Sequence, residues 1–321
     1  MKVALIDPPG PSAGLNTGLA YMAASVLEKR PADTIKVFDF NNNAGKIKER
    51  IKEIKEYEII AFSVKSFTLK EAFSLLGRIN LRPSQFVIFG GPHLAIEKGD
   101  FLKKDSRIGA VLAGEGENAF LKFLSFAEGK ERAEGIPGLS WRDGERIMIN
   151  NSLSLEEDLE SLPFPRYDVF DSVGGRLDNY PLLTSRGCPY QCLYCSVGFI
   201  SGRKWRKREV GSIINEIKAA REKYGFNYFF IIDDNFTLEK ERSREFCRAL
   251  IAEKLNLPWT LPNGIRADRV DETLIRLMKA SGCEAISFGI ESADPEVFNG
   301  LGKGETLEDI GRAIALGLKY H

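Results

Sequence analysis

Short apolar runs of strand length recur at 3–6, 35–39, 59–64, 86–89 and 108–113, each bounded by polar or turn residues. Between them apolar positions return at helical spacing, at Leu19, Met22, Ala23 and Val26 and again at Ile47, Ile51 and Ile54. A continuous apolar run suits a strand buried on both faces, and the second period suits a helix with one buried face. Five such strands alternating with helices predict an α/β fold, a doubly wound Rossmann or flavodoxin-like sheet over residues 1–135. Runs 139–142 and 146–149 then flank Asp143-Gly144, a hairpin signal. An acidic stretch punctuated by Pro163 and Pro165 follows, so residues 136–179 read as hairpin and linker. From residue 180 the alternation resumes, with strands expected at 182–185, 228–232, 259–265 and 285–290 and a last helix at 306–318. Four apolar strands, each followed by a helix, predict part of a (β/α) barrel over 180–321.

Composition narrows the function classes. The 321 residues hold 45 Lys plus Arg and 45 Asp plus Glu, a net charge of zero, where a nucleic-acid binder would show a basic excess. No apolar run approaches the roughly 20 residues of a membrane span, and the N-terminus reads as a strand, not a signal peptide. The cytoplasm is the expected location. Of five cysteines, Cys188, Cys192 and Cys195 lie together, while Cys247 and Cys283 stand alone and read as core residues. A secreted disulfide framework would spread its cysteines, so the trio points to metal. A structural zinc would want a fourth ligand, and none lies close; a [4Fe–4S] cluster accepts three thiolates and leaves one iron open.

The stretch Arg186-Gly187-Cys188-Pro189-Tyr190-Gln191-Cys192-Leu193-Tyr194-Cys195 follows the first barrel strand and resembles the CxxxCxxC loop of the radical S-adenosylmethionine (SAM) superfamily. The resemblance implies a cluster on Cys188, Cys192 and Cys195, with SAM on the open iron and a 5′-deoxyadenosyl radical from its reductive cleavage. It implies that Tyr194 packs near the adenine, with plain core packing as the alternative. Asp233 and Asp234 stand where the family contacts the SAM amino group, although its Gly-Gly-Glu stretch is absent. Either Asp234 or Asn235 could instead cap the next helix. Arg266 is expected to meet a carboxylate, of SAM or of a surface partner, and Glu291 the SAM ribose.

The first domain extends the resemblance. Pro8-Pro9, Gly18-Leu19-Ala20-Tyr21, Gly90-Gly91-Pro92-His93 and Gly114-Glu115-Gly116-Glu117, in that order, are similar to the loops of B12-binding-domain radical SAM enzymes. That implies cobalamin contacts at Pro9, Gly18, Ser63, Gly90, Gly91, Pro92, Gly114 and Glu115. The Asp-x-His-x-x-Gly motif that supplies a cobalt ligand elsewhere is absent, so His93 is not expected to ligate cobalt. Cobalamin would be held by its corrin and nucleotide tail, facing the cluster across the domains. The favoured reaction is methyl transfer to an unactivated carbon of a small molecule, with reducing equivalents from a flavodoxin or ferredoxin. Alternatives are radical cyclisation or oxidation of a tetrapyrrole- or lipid-like substrate, or a non-catalytic iron–sulfur or corrinoid-binding protein. A nucleotide-dependent dehydrogenase is disfavoured because Gly114-Glu115-Gly116 follows the fifth strand and brings carboxylates to the phosphate position. A methylthiotransferase would carry further N-terminal cysteines. The basic run Arg203, Lys204, Arg206, Lys207 and Arg208 around Trp205 reads as a solvated loop. Four βα units are fewer than the family's six, so a truncated barrel is expected.

Overall fold

A computed structural model describes residues 1–43 and 45–320. The chain forms two compact units, Met1–Gly174 and Gly175–His321.

The first unit begins β1 (Lys2–Asp7), α1 (Thr17–Lys29), β2 (Thr34–Asp39), α2 (Ile47–Ile54), β3 (Ile59–Ser63), α3 (Leu69–Arg78) and β4 (Phe86–Gly90). It continues with α4 (Leu94–Glu97), β5 (Ala110–Leu112), α5 (Glu117–Ala127), β6 (Leu139–Asp143) and β7 (Arg146–Ile149). The strand order is β2-β1-β3-β4-β5-β6-β7, parallel through β5. The order 2-1-3-4-5 is the flavodoxin-like doubly wound arrangement, with its switch point between β1 and β3. The apolar runs form its centre: Val3, Leu5, Ile60, Phe62 and Phe89 are buried, and Phe62 stacks on Phe89 at 4.7 Å. Each such side chain contributes about 1.5–3 kcal/mol by leaving water.

The hairpin differs from its expected place. It is no linker: β6 pairs antiparallel with β5, and β7 with β6, so both extend the first unit's sheet. The segment after it also stays with that unit. Asp171 accepts from Arg50 Nε at 2.7 Å and Nη2 at 2.8 Å, and from the Asp39 amide at 2.9 Å. Sequence punctuation marked the prolines, but these side-chain ties carry the unit on to residue 174.

The second unit comprises β8 (Tyr180–Leu182), β9 (Ser185–Arg186), α6 (Val197–Ile200), β10 (Arg206–Lys207), α7 (Val210–Tyr224), β11 (Phe229–Ile231) and α8 (Lys240–Ala252). After these come β12 (Trp259–Ile265), α9 (Glu272–Ala280), β13 (Cys283–Phe288), α10 (Pro295–Gly300) and α11 (Leu307–Tyr320). Strands β8, β11, β12 and β13 form a four-stranded parallel sheet in that spatial order. This is the run of four βα units that the sequence pattern predicts. The expected first strand is split: β8 ends at Leu182, and Ser185–Arg186 pairs instead with β10. That pairing draws in the basic run, which is only partly the solvated loop expected. Arg206 and Arg208 are buried, Arg206 donating from Nη2 to the Ser201 carbonyl at 2.7 Å and Arg208 pairing with Glu216. Cys247 and Cys283 are buried as expected, and burial pushes both thiols up to about 12, so they stay neutral.

Candidate functional site

The cysteine loop hangs from the turn after β9. Gly187 has φ of +83°, and a Cβ there would meet the Lys204 carbonyl at 2.4 Å, so only glycine fits. The Cys188 amide donates to the Gly202 carbonyl at 3.3 Å, and the Cys195 amide to the Cys192 carbonyl at 3.1 Å, which curls the second half of the loop into a turn. Tyr190 anchors the first half. The Arg266 guanidinium lies 3.5 Å over its ring, Arg269 Nε donates to its hydroxyl at 2.8 Å, and Arg203 Nη1 donates to its carbonyl at 2.9 Å. The Leu193 amide donates to the Leu301 carbonyl at 3.0 Å. These ties on a ten-residue segment pre-order the loop.

The three thiols are half-buried and unpaired by disulfides. Burial raises the Cys192 thiol, while the positive charges of Arg266 and Lys303 favour its thiolate and the negative charges of the Cys195 and Cys188 thiolates oppose it. The three sulfurs are therefore electrostatic neighbours. Among the described residues no three His, Cys, Asp or Glu side chains converge on the position of a single ion. By the chemistry of the donor set, three soft thiolates on one loop suit an iron–sulfur cluster.

The expected SAM contacts fall around this loop in different roles. Tyr194 is half-exposed, not core, and its hydroxyl donates to Glu291 Oε1 at 3.0 Å. Burial, with the Glu291 carboxylate beside it, raises the Tyr194 phenol above its ordinary range. Glu291 holds a left-handed backbone, φ +65°, and Lys303 Nζ stands 3.9 Å from its carboxylate. Arg266 pairs with Asp268 at 2.9 Å and with Glu305 at 3.6 Å and donates to the Lys303 carbonyl at 2.7 Å, so its carboxylate partners lie within the fold. Its Nη2, however, is buried and without a hydrogen-bond partner among the described residues. Asp233 is fully used inside the fold: it accepts from the Thr184 amide and Ser185 Oγ, both at 2.6 Å. Asp234 accepts from the Gly187 amide at 2.9 Å. Neither Asp234 nor Asn235 caps a helix, because α8 begins only at Lys240, behind Glu239. Sequence reasoning missed Tyr190, Asn235, Lys303 and Glu305. The last two are buried in Gly302-Lys303-Gly304-Glu305, where charge beside glycine imitates a solvent loop. There Glu305 accepts from the Ala267 amide at 2.8 Å, and Lys303 Nζ lies 3.1 Å from its other oxygen.

In the first unit, Pro9, Ser63, Gly90, Gly91, Pro92, Gly114 and Glu115 gather along the carboxyl edge of the parallel strands, with Gly18 exposed on the first turn of α1. Two of these glycines are required by the backbone itself. Gly91 and Gly114 have φ of +96° and +100°, and a Cβ would meet Val64 N at 2.7 Å and Ser154 O at 2.3 Å respectively. Glu115 accepts from the Glu156 amide at 2.6 Å. His93 is engaged locally, Nδ1 at 3.0 Å from Ser66 Oγ and Nε2 at 3.2 Å from Glu97. At the switch point Asn16 caps α1 through Oδ1 and donates from Nδ2 to Asp7 Oδ1 at 2.8 Å and to Ser63 Oγ at 3.2 Å. Asp7 Oδ2 is buried without a hydrogen-bond partner among the described residues.

Burial pushes the Asp7 carboxyl from 3.8 up to about 6, with Asn16 and Lys65 opposing and Asp39 reinforcing. The folded chain therefore holds a proton that the unfolded chain releases near 3.8, and stability falls as pH rises through that window. Above about pH 6 the cost levels off at about 3 kcal/mol. Asp7→Asn is expected to raise the urea midpoint at about pH 8 and to lose that advantage below about pH 4. Equal gains at both pH values would show that the carboxyl does not titrate in this way.

A family model described as the radical SAM superfamily matches residues 182–320. An uncharacterized methyltransferase of Pyrococcus horikoshii is 29% identical over 334 residues, covering 100% of this chain and 72% of the relative. The cytidylyl-2-hydroxyethylphosphonate methyltransferase of Streptomyces wedmorensis is 30% identical over 254 residues, covering 68% of this chain and 47% of the relative. The solved structure of the radical SAM methyltransferase TsrM from Kitasatospora setae, with cobalamin and a [4Fe–4S] cluster bound, superposes with a TM-score of 0.78 at 16% identity. That likeness covers 99% of this chain and 65% of TsrM and shows a shared fold.

Proposed function

Because this chain belongs to the radical SAM superfamily, among its members with a Rossmann-like unit ahead of the radical SAM fold, we propose that it is a cobalamin-dependent methyltransferase acting on an unactivated carbon of a small molecule. The observation that carries the reading is the pre-ordered loop that presents three half-buried, free thiols at Cys188, Cys192 and Cys195. Cys188, Cys192 and Cys195 would hold a [4Fe–4S] cluster, which with SAM supplies a 5′-deoxyadenosyl radical, while cobalamin supplies the methyl carrier. The chain's own residues provide the setting. Tyr190 and its arginines fix the loop, Tyr194 and Glu291 form a joined polar pair beside the cysteines, and the buried Arg266 Nη2 offers a charged donor for a carboxylate. Asp233 acts through the fold, bracing Thr184 and Ser185.

In the first unit the carboxyl edge suits a corrinoid. Asp7 Oδ2 is an orphaned acceptor there, and the amide arms of a corrin are donors. No helix of the described residues is long and apolar enough to cross a membrane. A cytoplasmic setting, with electrons from a flavodoxin or ferredoxin, fits an oxygen-sensitive cluster. The chain spans between about half and three quarters of these relatives, so the substrate is open to experiment.

Anaerobic reconstitution with iron, sulfide and hydroxocobalamin, then addition of reductant and SAM, tests the reading. Stoichiometric corrinoid and formation of 5′-deoxyadenosine are expected. Cleavage without bound corrinoid would remove methyl transfer and leave another radical outcome; no cleavage despite a full cluster would leave a binding protein.

A further inference from the structure

Three consecutive side chains after β11 grip the chain that leads into the cysteine loop. Asp233 takes Thr184 and Ser185, Asp234 takes the Gly187 amide, and Asn235 reaches the next residue: its Nδ2 lies 3.7 Å from Cys188 Sγ. Asn235 is 1% exposed, and its Oδ1 is buried without a hydrogen-bond partner among the described residues. The amide orientation follows from chemistry. A thiolate has lone pairs and no donor, so only the NH2 end of the amide can face it favourably. A buried, unpartnered Oδ1 is costly, so the amide is retained for what its other end does. Helix capping is not that role, since α8 starts at Lys240.

We infer that Asn235 is a positioning residue that donates a hydrogen bond to the Cys188 thiolate and thereby raises the reduction potential of the cluster that this thiolate holds. The inference rests on the proposed ligation by Cys188, Cys192 and Cys195. A donor on a ligating sulfur withdraws electron density and favours the reduced cluster, and a dry surrounding strengthens the effect. Asp233 and Asp234 make the contact reproducible by fixing the backbone on both sides of it.

The test is an EPR-monitored redox titration of anaerobically reconstituted full-length chain, without SAM, beside iron and sulfide analysis. Asn235→Leu removes the donor at similar volume, and Asn235→Asp replaces it with an anionic acceptor. Cluster content is expected to match the wild type, with midpoints falling in the order wild type, Leu, Asp. The Leu variant is expected to show about tenfold less reduced cluster at a fixed potential, equivalent to about 59 mV for a one-electron couple. The reduced wild-type cluster should also show an exchangeable proton coupling that the Leu variant lacks. Unchanged midpoints in both variants overturn the inference, as does loss of the cluster from both, which would make Asn235 an assembly residue. A wild-type chain that takes up no cluster overturns instead the cysteine reading beneath it.

Discussion

Alanine at Cys188, Cys192 or Cys195 is expected to eliminate the visible charge-transfer absorption of the reconstituted chain, with iron and sulfide falling to background and SAM cleavage lost. A three-thiolate cluster has no spare ligand: the open iron is reserved for SAM, and removal of one thiolate opens a second iron to water. The loop around the missing thiol should persist, because Tyr190, Arg266, Arg269 and the Leu193–Leu301 bond hold it without metal. Loss of the cluster should therefore come with little change in the urea midpoint. Alanine at Cys247 or Cys283 should do the reverse. Those thiols are buried in packing, so cluster content should stay full while stability drops by about 1–2 kcal/mol. Iron per chain and urea titration, measured on all five variants, separate the two groups. A cluster that survives alanine at one of the three loop positions would show that this cysteine is not a ligand.

The elements were legible wherever burial matched periodicity. The five parallel strands of the first sheet fall within a residue or two of their apolar runs, because most positions of each run are buried on both faces, Lys36 in β2 being a polar exception. The hairpin was legible as a hairpin but not as sheet. Asp143-Gly144 announces the turn, whereas pairing of β6 with β5 is a long-range choice that no local pattern encodes. At the candidate site the cysteines carried their own spacing signal. What holds them did not. Tyr190 looks like any loop aromatic, Lys303 and Glu305 look solvated, and Asn235 looks like a cap. Their roles arise from backbone turns, at Gly187 and beyond β11, that bring residues 188 and 235 together across the fold. Arg266 was legible as a residue in need of an acid, but Asp268, two positions on, was the simpler partner.

The buried pair Arg208–Glu216 makes the largest stability prediction. Arg208 lies in the run that reads as solvated, yet it is buried against Glu216 on α7 and also donates to the Leu183 carbonyl at 3.0 Å, next to the start of the cysteine approach. Glu216 is 0% exposed and accepts from the Tyr180 hydroxyl at 2.7 Å, joining α7 to β8. Arg208→Met removes this buried cation from the Glu216 carboxylate, and breaking a buried pair on one side costs about 3–5 kcal/mol. The second unit should therefore unfold at markedly lower urea. Arg208→Met with Glu216→Gln removes both charges while Gln Oε1 still accepts from Tyr180, so most of the loss should return. Urea midpoints of the two single variants and the double form a cycle whose coupling reads the pair directly. Additive losses would mean that the two charges are stabilised separately, and that the pair does not fix α7 against the strand that carries the cysteine loop.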